Sequence, residues 1–326
     1  SMKHQRVLVI GGSGFIGSHL VAQLAAQGKR IVIPTRRYIR ARHLILLPTV
    51  SAIEADIHDD RDLDALIAGQ DAVINLVGVL HGDRGTPYGN AFRKMHVELP
   101  DRIARACVRH GVTRLLHMSA LGADSAGKSM YQRSRGDGEA AVHRAFDAVE
   151  GNALTVFRPS VVFGPHDRFM NLFARLARFF PVLPIAGADA KLQPIFVGDV
   201  AQAMTNALDD PRTYGKTYSL AGPQTFTLGE LVRLAALWGG HKRPVVKIPM
   251  GMGKLQAAFM EMLPGEPIMS RDNLDSLATD NVMNEALAPE LDLHPTSLDA
   301  VAPDYLSGQH PRTRFDDVRA RHGRNT

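Results

Sequence analysis

Two short stretches carry groups able to do chemistry. "MYQRSRGDGEAAV" sets Tyr131 and Arg135 four residues apart ahead of a helical pattern. Four residues is about one helical turn, so both side chains reach one face. A phenol ionises near pH ~10, and a fixed cation beside it lowers that value towards the range where proton transfer is effective. Arg is always charged and supplies that field, but it is long and planar and cannot shuttle a proton by deprotonating. "VLVIGGSGFIGSHL" places glycines at 11, 12, 14 and 17, after an apolar strand and at the opening of a helix. In that setting a glycine loop holds the pyrophosphate of a dinucleotide. Gly11 permits the tight turn, Gly14 lets the backbone approach the pyrophosphate, and Gly17 lets the helix pack closely on the sheet. The N–H groups near Phe15 and Ile16, with Ser13 beside them in the loop, point at the phosphates.

The second strand ends in "IPTRRYIRAR". A site for NAD(H) places an acidic residue about 20 residues past the loop to bond the ribose 2′-hydroxyl. Thr35, Arg36 and Arg37 stand there instead. A guanidinium grips a 2′-phosphate bidentately and stacks on adenine, which favours NADP(H) and leaves NAD(H) as the alternative. The plain alternative is a solvated basic loop. In "EADIHD", Asp56 either bonds the adenine amino group, with Ile57 beside the ring, or caps the next helix. "INLVG" ends the fourth strand and carries Leu76, Val77 and Gly78 under the adenosine ribose.

These residues need a frame. The first 150 or so residues alternate short apolar runs with amphipathic stretches: "RVLVIGG", "RIVIPTR", "VSAIEAD", "DAVINLVG", "RLLHMSALG" and "NALTVFRPSVVFG" read as strands. A long helix over "YGNAFRKMHVELPDRIARACVRHG" is kinked or broken at Pro100. Alternating βα units predict an α/β fold: a Rossmann-type, doubly wound parallel sheet with ligands at the carboxyl ends of its strands. The expected core spans residues 3–164. Residues 165–310 complete it and build a smaller, partly discontinuous C-terminal lobe for substrate or partner, and 311–326 form a basic tail. In the Met-rich "MGMGKLQAAFMEMLPG", Met252, Leu255, Phe259, Met260 and Met262 read as a core or lid helix, or as an adaptable apolar surface for a partner or membrane. His166, Asp167 and Arg168 either face substrate or form a surface loop.

The chain is 45% hydrophobic and 22% charged, values of a globular protein rather than a disordered or fibrous one. Its single Cys107 excludes a disulfide framework and a multi-Cys metal site, reads as a small core residue, and suggests a reducing, cytoplasmic compartment. No apolar run is long enough to span a bilayer. The net charge of +5 falls largely in the tail, so peripheral contact with anionic lipid is open, and nucleic-acid binding has no other support. No metal-ligand motif, Gly-x-Ser-x-Gly elbow or phosphate-binding Walker loop is present.

"GGSGFIG", "EADIHD", "NLVG", "HMSALGA", "YQRSR", "RPSVVFGP" and "FVGDVAQA" together resemble the short-chain dehydrogenase/reductase superfamily, in its extended and atypical branch of NAD-dependent epimerases and dehydratases. "SALGADSAGKSMYQRSRGDGE" looks most like the dehydrogenase-like accessory subunit of respiratory complex I and its bacterial relatives. The resemblance implies that Ser119 and Tyr131 match the catalytic Ser and Tyr, with Arg135 in place of the Lys that lowers the Tyr pKa and bonds the nicotinamide ribose. It implies Pro159, Ser160 and Val161 beside the nicotinamide, a structural Asp199, and His96 where the family commonly has an Asn that anchors the catalytic helix or relays protons. It also implies tight NADP(H) binding, a partner in a respiratory complex, and a place at the inner membrane. Only nine of the 38 Lys and Arg are Lys, so a Lys-to-Arg exchange comes easily in this chain. Three functions stay open: an NADP(H)-binding protein with weak or lost catalysis, a working reductase or epimerase on a sugar nucleotide, quinone-like or other carbonyl substrate, and a redox-sensing regulator.

Overall fold

The structure is a computed structural model, and it describes residues 4–37, 42–44 and 46–308. The expected basic tail, 311–326, lies outside the described residues. Two units are built from interleaved segments. The first comprises residues up to 159, 197–220 and 283–294, and the second comprises 160–196, 221–282 and the residues from 295.

The first unit runs β1 (Arg6–Ile10), α1 (Phe15–Ala26), β2 (Arg30–Thr35), β3 (Val50–Glu54), α2 (Asp60–Ile67) and β4 (Ala72–Asn75). It continues with α3 (Asn90–Phe92), a π-helical turn (Arg93–Glu98), α4 (Leu99–Arg109), β5 (Arg114–Met118), α5 (Met130–Phe146) and β6 (Ala153–Pro159). The second unit then supplies β7 (Val162–Phe163), α6 (Phe169–Phe179), β8 (Leu183–Ala186), β9 (Lys191–Leu192) and β10 (Ile195–Phe196). The chain returns to the first unit for α7 (Val197–Leu208) and β11 (Thr217–Leu220). β12 (Phe226–Thr227), α8 (Leu228–Trp238), β13 (Val245–Ile248), α9 (Met250–Met262), α10 (Arg271–Ser276) and α11 (Leu298–Ser307) complete the second unit. No described helix is long and apolar enough to cross a membrane.

Seven parallel strands form the main sheet in the order β11-β6-β5-β4-β1-β2-β3. Strands β1, β4 and β5 are buried almost throughout, as expected of strands covered on both faces. α2, α4 and α5 close one face through Leu63, Ile103, Cys107, Val142 and Phe146. The strand order reverses between β1 and β4, which puts the glycine loop and Leu76 at the switch point, where such sheets bind ligands.

Two expectations are corrected. The stretch "NALTVFRPSVVFG" is not one strand. It breaks after Pro159, which has no N–H for a ladder, and β7 pairs with β10 in a separate two-stranded sheet. The long helix does not break at Pro100. Pro100 sits in the first turn of α4, and the irregularity lies upstream, in the π turn. A proline cannot donate to the carbonyl four residues back, that of His96, and a wider turn accommodates its ring. α5 lies against that carbonyl through Gly138, where a Cβ would stand 1.9 Å from His96 O.

In the second unit, α9 is not a core helix. It packs through its small residues: a Cβ on Gly253 would lie 2.2 Å from the Ala186 Cβ, and Ala257 is buried. Met252, Leu255, Phe259 and Met262 are therefore turned outward.

Candidate functional site

The glycine loop takes the geometry its spacing demands. Gly11 has φ +85°, and the Gly14 N–H donates to its carbonyl over 3.1 Å. A Cβ on Gly17 would lie 2.3 Å from Gly11 O, so the helix reaches the loop only because that position is glycine. α1 begins at Phe15 behind an N-cap of Gly14, with no side chain capping it. The first-turn N–H groups at Phe15 and Ile16 thus lack a side-chain acceptor, and the positive end of the helix dipole favours an anion there. Ser13 lies half-buried in the same loop.

At the end of β2 the Thr35 hydroxyl donates to Arg37 O over 2.8 Å and accepts from Arg37 N–H over 3.3 Å. Thr35 is buried, so it shapes the turn that presents Arg36 and Arg37 to solvent. Arg36 reaches across to Asp56, 3.4 Å away. The His58 N–H, and next the Arg36 guanidinium, hold the Asp56 carboxyl below its usual range. Asp56 does not cap α2. Asp59 does, accepting from Asp62 N–H over 3.0 Å. Ile57 packs against the sheet's core cluster. Leu76 N–H donates to Ile10 O, and Gly11 lies close over Leu76.

Ser119, Tyr131 and Arg135 come together at the carboxyl ends of β4 and β5. Ser129 caps α5 in a reciprocal box with Gln132, fixing Tyr131 in its first turn. The Arg135 guanidinium carbon lies 5.5 Å from the Tyr131 ring centre. Its Nη1 donates to Met118 O over 3.1 Å and to Val77 O over 3.4 Å. A Cβ at position 78 would stand 2.0 Å from Arg135 Nη2, so Gly78 makes room for the guanidinium. Ser119 follows β5 and donates its N–H to Phe157 O over 2.7 Å. Its Oγ and Arg135 Nε are buried without a hydrogen-bond partner. Pro159 closes β6, its carbonyl accepting from Leu121 N–H. Ser160, the first residue of the second unit, likewise has a buried Oγ with no partner, and Val161 follows it half-buried.

His96 holds this corner together. Its Nε2 accepts from Val79 N–H over 2.9 Å, so in the neutral ring Nδ1 carries the proton and donates to Ser134 Oγ over 2.9 Å. Ser134 in turn donates to Tyr131 O. His96 therefore anchors α5, and its ring packs edge-on to Tyr131 with centres 5.4 Å apart. Burial first, then the Arg135 charge, keep His96 far below a normal histidine pKa. The same two causes push buried His117 down to about 3. Both rings are neutral at pH 7, leaving Arg135 as the cation of the group. The roles of His117, Ser134 and Gly138 were not read from the sequence. The Ser129–Gln132 cap was also missed, although its Ser-x-x-Gln spacing was visible.

Elsewhere, burial pushes the Cys107 thiol up to about 12, as for a core residue. Asp167 is buried and accepts from Gly164 N–H, Asn171 N–H and Tyr305 OH, so its carboxylate braces the loop. Arg168 pairs with Glu266 at 3.0 Å. Among the described residues, no group of three or more His, Cys, Asp or Glu is placed to hold a metal ion.

The uncapped helix start, the exposed arginine pair and the orphaned Ser119 hydroxyl fit a dinucleotide with a polar group at its reactive end. The sequence profile of the NAD dependent epimerase/dehydratase family matches residues 7–221. The mitochondrial NADH dehydrogenase [ubiquinone] 1 alpha subcomplex subunit 9 of Arabidopsis thaliana is 31% identical over 91% of this chain and 76% of its own length. Ceramide reductase of Caulobacter vibrioides is 30% identical over 74% of this chain and 73% of its own. The fold is shared with UDP-glucuronic acid 4-epimerase from Bacillus cereus, solved with UDP-glucuronic acid and NAD. The TM-score is 0.69 at 18% identity, covering 94% of this chain and 100% of that one. The motifs, the sheet and the sequence matches agree: this chain belongs to the NAD dependent epimerase/dehydratase family, whose cofactor is a nicotinamide dinucleotide.

Proposed function

We propose that the chain is an NADP(H)-binding, dehydrogenase-like protein with weak or lost catalysis, serving as a subunit or assembly partner of a complex I-type respiratory enzyme at the inner membrane. One observation carries the reading. The cation of the Tyr131–Arg135 pair is bonded to the Val77 and Met118 carbonyls, so it braces two strand ends. The relatives named as NADH dehydrogenase subunits support the assembly role.

In this reading the N–H groups of Phe15 and Ile16 hold the pyrophosphate over Gly11, Ser13, Gly14 and Gly17. Arg36 and Arg37 grip a 2′-phosphate, and Thr35 sets their turn. Asp56 and Ile57 border the adenine, and Leu76, Val77 and Gly78 lie under its ribose. Pro159, Ser160 and Val161 border the nicotinamide. A bound nicotinamide supplies hydride transfer. The chain's own part would be Ser119 holding a carbonyl oxygen and Tyr131 moving its proton.

A second reading, a working reductase on a carbonyl substrate, is favoured by the unpartnered Ser119 hydroxyl and by the ceramide reductase relative. Titration with NADPH and NADH, followed by absorbance at 340 nm with a panel of quinones, aldehydes and ketones, separates the two. Tight NADPH binding without oxidation supports the first, and steady oxidation supports the second. Arg36→Ala should weaken NADPH about 10- to 100-fold, the worth of a charge-assisted bidentate contact, and leave NADH nearly unchanged. Equal losses for both cofactors would remove the NADP(H) assignment.

A further inference from the structure

The second unit carries an apolar surface that the dinucleotide reading does not use. A cavity of about 150 Å³ lies within this unit, walled by residues that include Phe173, Leu183, Ile185, Ala257, Met260 and Leu274. Gln256 is its one polar lining side chain. The exposed members of the lining are Phe180, Val182, Pro184, Gln256 and Ile268, so the cavity opens on a surface that is apolar apart from Gln256. A sugar nucleotide would lose its hydrogen bonds to water there and regain almost none. An aliphatic chain loses nothing, and a cavity near this size accepts about six carbon atoms.

The surroundings identify where such a chain would come from. Met252, Leu255, Phe259 and Met262 stand at spacings of three, four and three along α9 and so share one face, with exposures of 59%, 75%, 65% and 83%. Phe179, at 72%, is the last residue of α6. Apolar area of this extent on one helix face marks an interaction surface. Charges near it are mostly neutralised in pairs: Lys254 with Asp275, Arg271 with Glu261, Arg168 with Glu266. Arg175 and Arg178, exposed on α6 beside Phe179, pair with no described carboxylate. Large apolar side chains flanked by uncompensated arginines are the pattern of a helix lying in an anionic lipid interface.

We propose that the second unit docks on an anionic membrane surface through α9 and the segment after α6, and takes part of one lipid acyl chain into its cavity. The inference does not rest on the dinucleotide reading, and its test needs no cofactor.

The full chain is sedimented with vesicles of phosphatidylcholine alone, and with phosphatidylcholine and phosphatidylglycerol at about two to one. Binding should be about tenfold stronger to the mixed vesicles and fall with salt. The double variant Leu255→Ser/Phe259→Ser alters only exposed positions, and it should lose at least about tenfold. Ala257→Leu fills the cavity from within. It should abolish fluorescence enhancement of the fatty acid cis-parinaric acid while vesicle binding persists, with circular dichroism confirming the fold. Vesicle binding retained by the double variant would assign attachment to charge elsewhere and overturn the docking surface. Absent vesicle binding with concentration-dependent self-association would assign the face to a second copy and overturn it as well. Parinaric acid binding unchanged by both Ala257→Leu and Met260→Trp would remove the acyl-chain site.

Discussion

Arg135 is the residue on which the proposed function turns. It sits between two buried neutral histidines, over a tyrosine ring and under two strand carbonyls. A lysine there is shorter and carries a compact charge, so it would release at least one carbonyl and present its ammonium to a ribose. Arg135→Lys is expected to raise NADPH-dependent carbonyl reduction at least about tenfold if the site is detuned, and to lower stability by about 1 kcal/mol through the lost bonds. Steady-state rates at 340 nm and urea unfolding check the two halves separately. The histidines set a pH dependence. His117 has its folded pKa depressed to about 3 from the ordinary 6.5, so its contribution is complete above pH 6.5 and is lost as pH falls towards 3. Thermal unfolding between pH 7 and 4 should show a falling Tm that His117→Asn makes shallower. The spacing of Tyr131 and Arg135 and the glycine loop were legible because those signals are local. The embrace of Arg135 was not, because its partners lie 17 and 58 residues away.

At the scale of elements, alternation of apolar runs disclosed the strands and helices, and the caps fixed their starts. The joint between α5 and the π turn stayed hidden, since a proline signals a break without saying how the chain absorbs it. That joint aligns the helix that bears Tyr131. Gly138→Ala would drive a methyl into the His96 carbonyl, and α5 would have to shift. A loss of about 2 kcal/mol or more is expected, with overpacking outweighing the gain in helix propensity. Guanidinium unfolding measures it, and near-ultraviolet circular dichroism should report the displaced Tyr131. α9 illustrates a different limit. Its apolar stripe was plain in the sequence, but periodicity reveals that a stripe exists and not what it faces.

For the molecule as a whole, the sequence changes texture after residue 164, and the second unit begins at Ser160. The return of Val197–Leu220 to the first unit's sheet was masked, because strand partners are chosen in space. Arg114 secures that return. It is fully buried in β5, and its guanidinium donates to Ala207 O, Leu208 O, Ala153 O, Thr155 Oγ1 and Thr213 Oγ1, with the Tyr214 ring 4.5 Å away. The carbonyl end of α7 supplies the negative dipole that this cation meets. In a sequence, an arginine opening an apolar strand looks like its solvent-facing end. Arg114→Met should cost about 2–4 kcal/mol by stranding buried carbonyls, visible as a lower urea midpoint.

The bare backbone of Gly78 has a consequence for the guanidinium beneath it. Any side chain there would meet the guanidinium of Arg135 where it now lies, so the two positions are coupled. A methyl at position 78 would therefore be accommodated by displacing the guanidinium from the Val77 and Met118 carbonyls, so the cost of filling the glycine is read at the far end of Arg135.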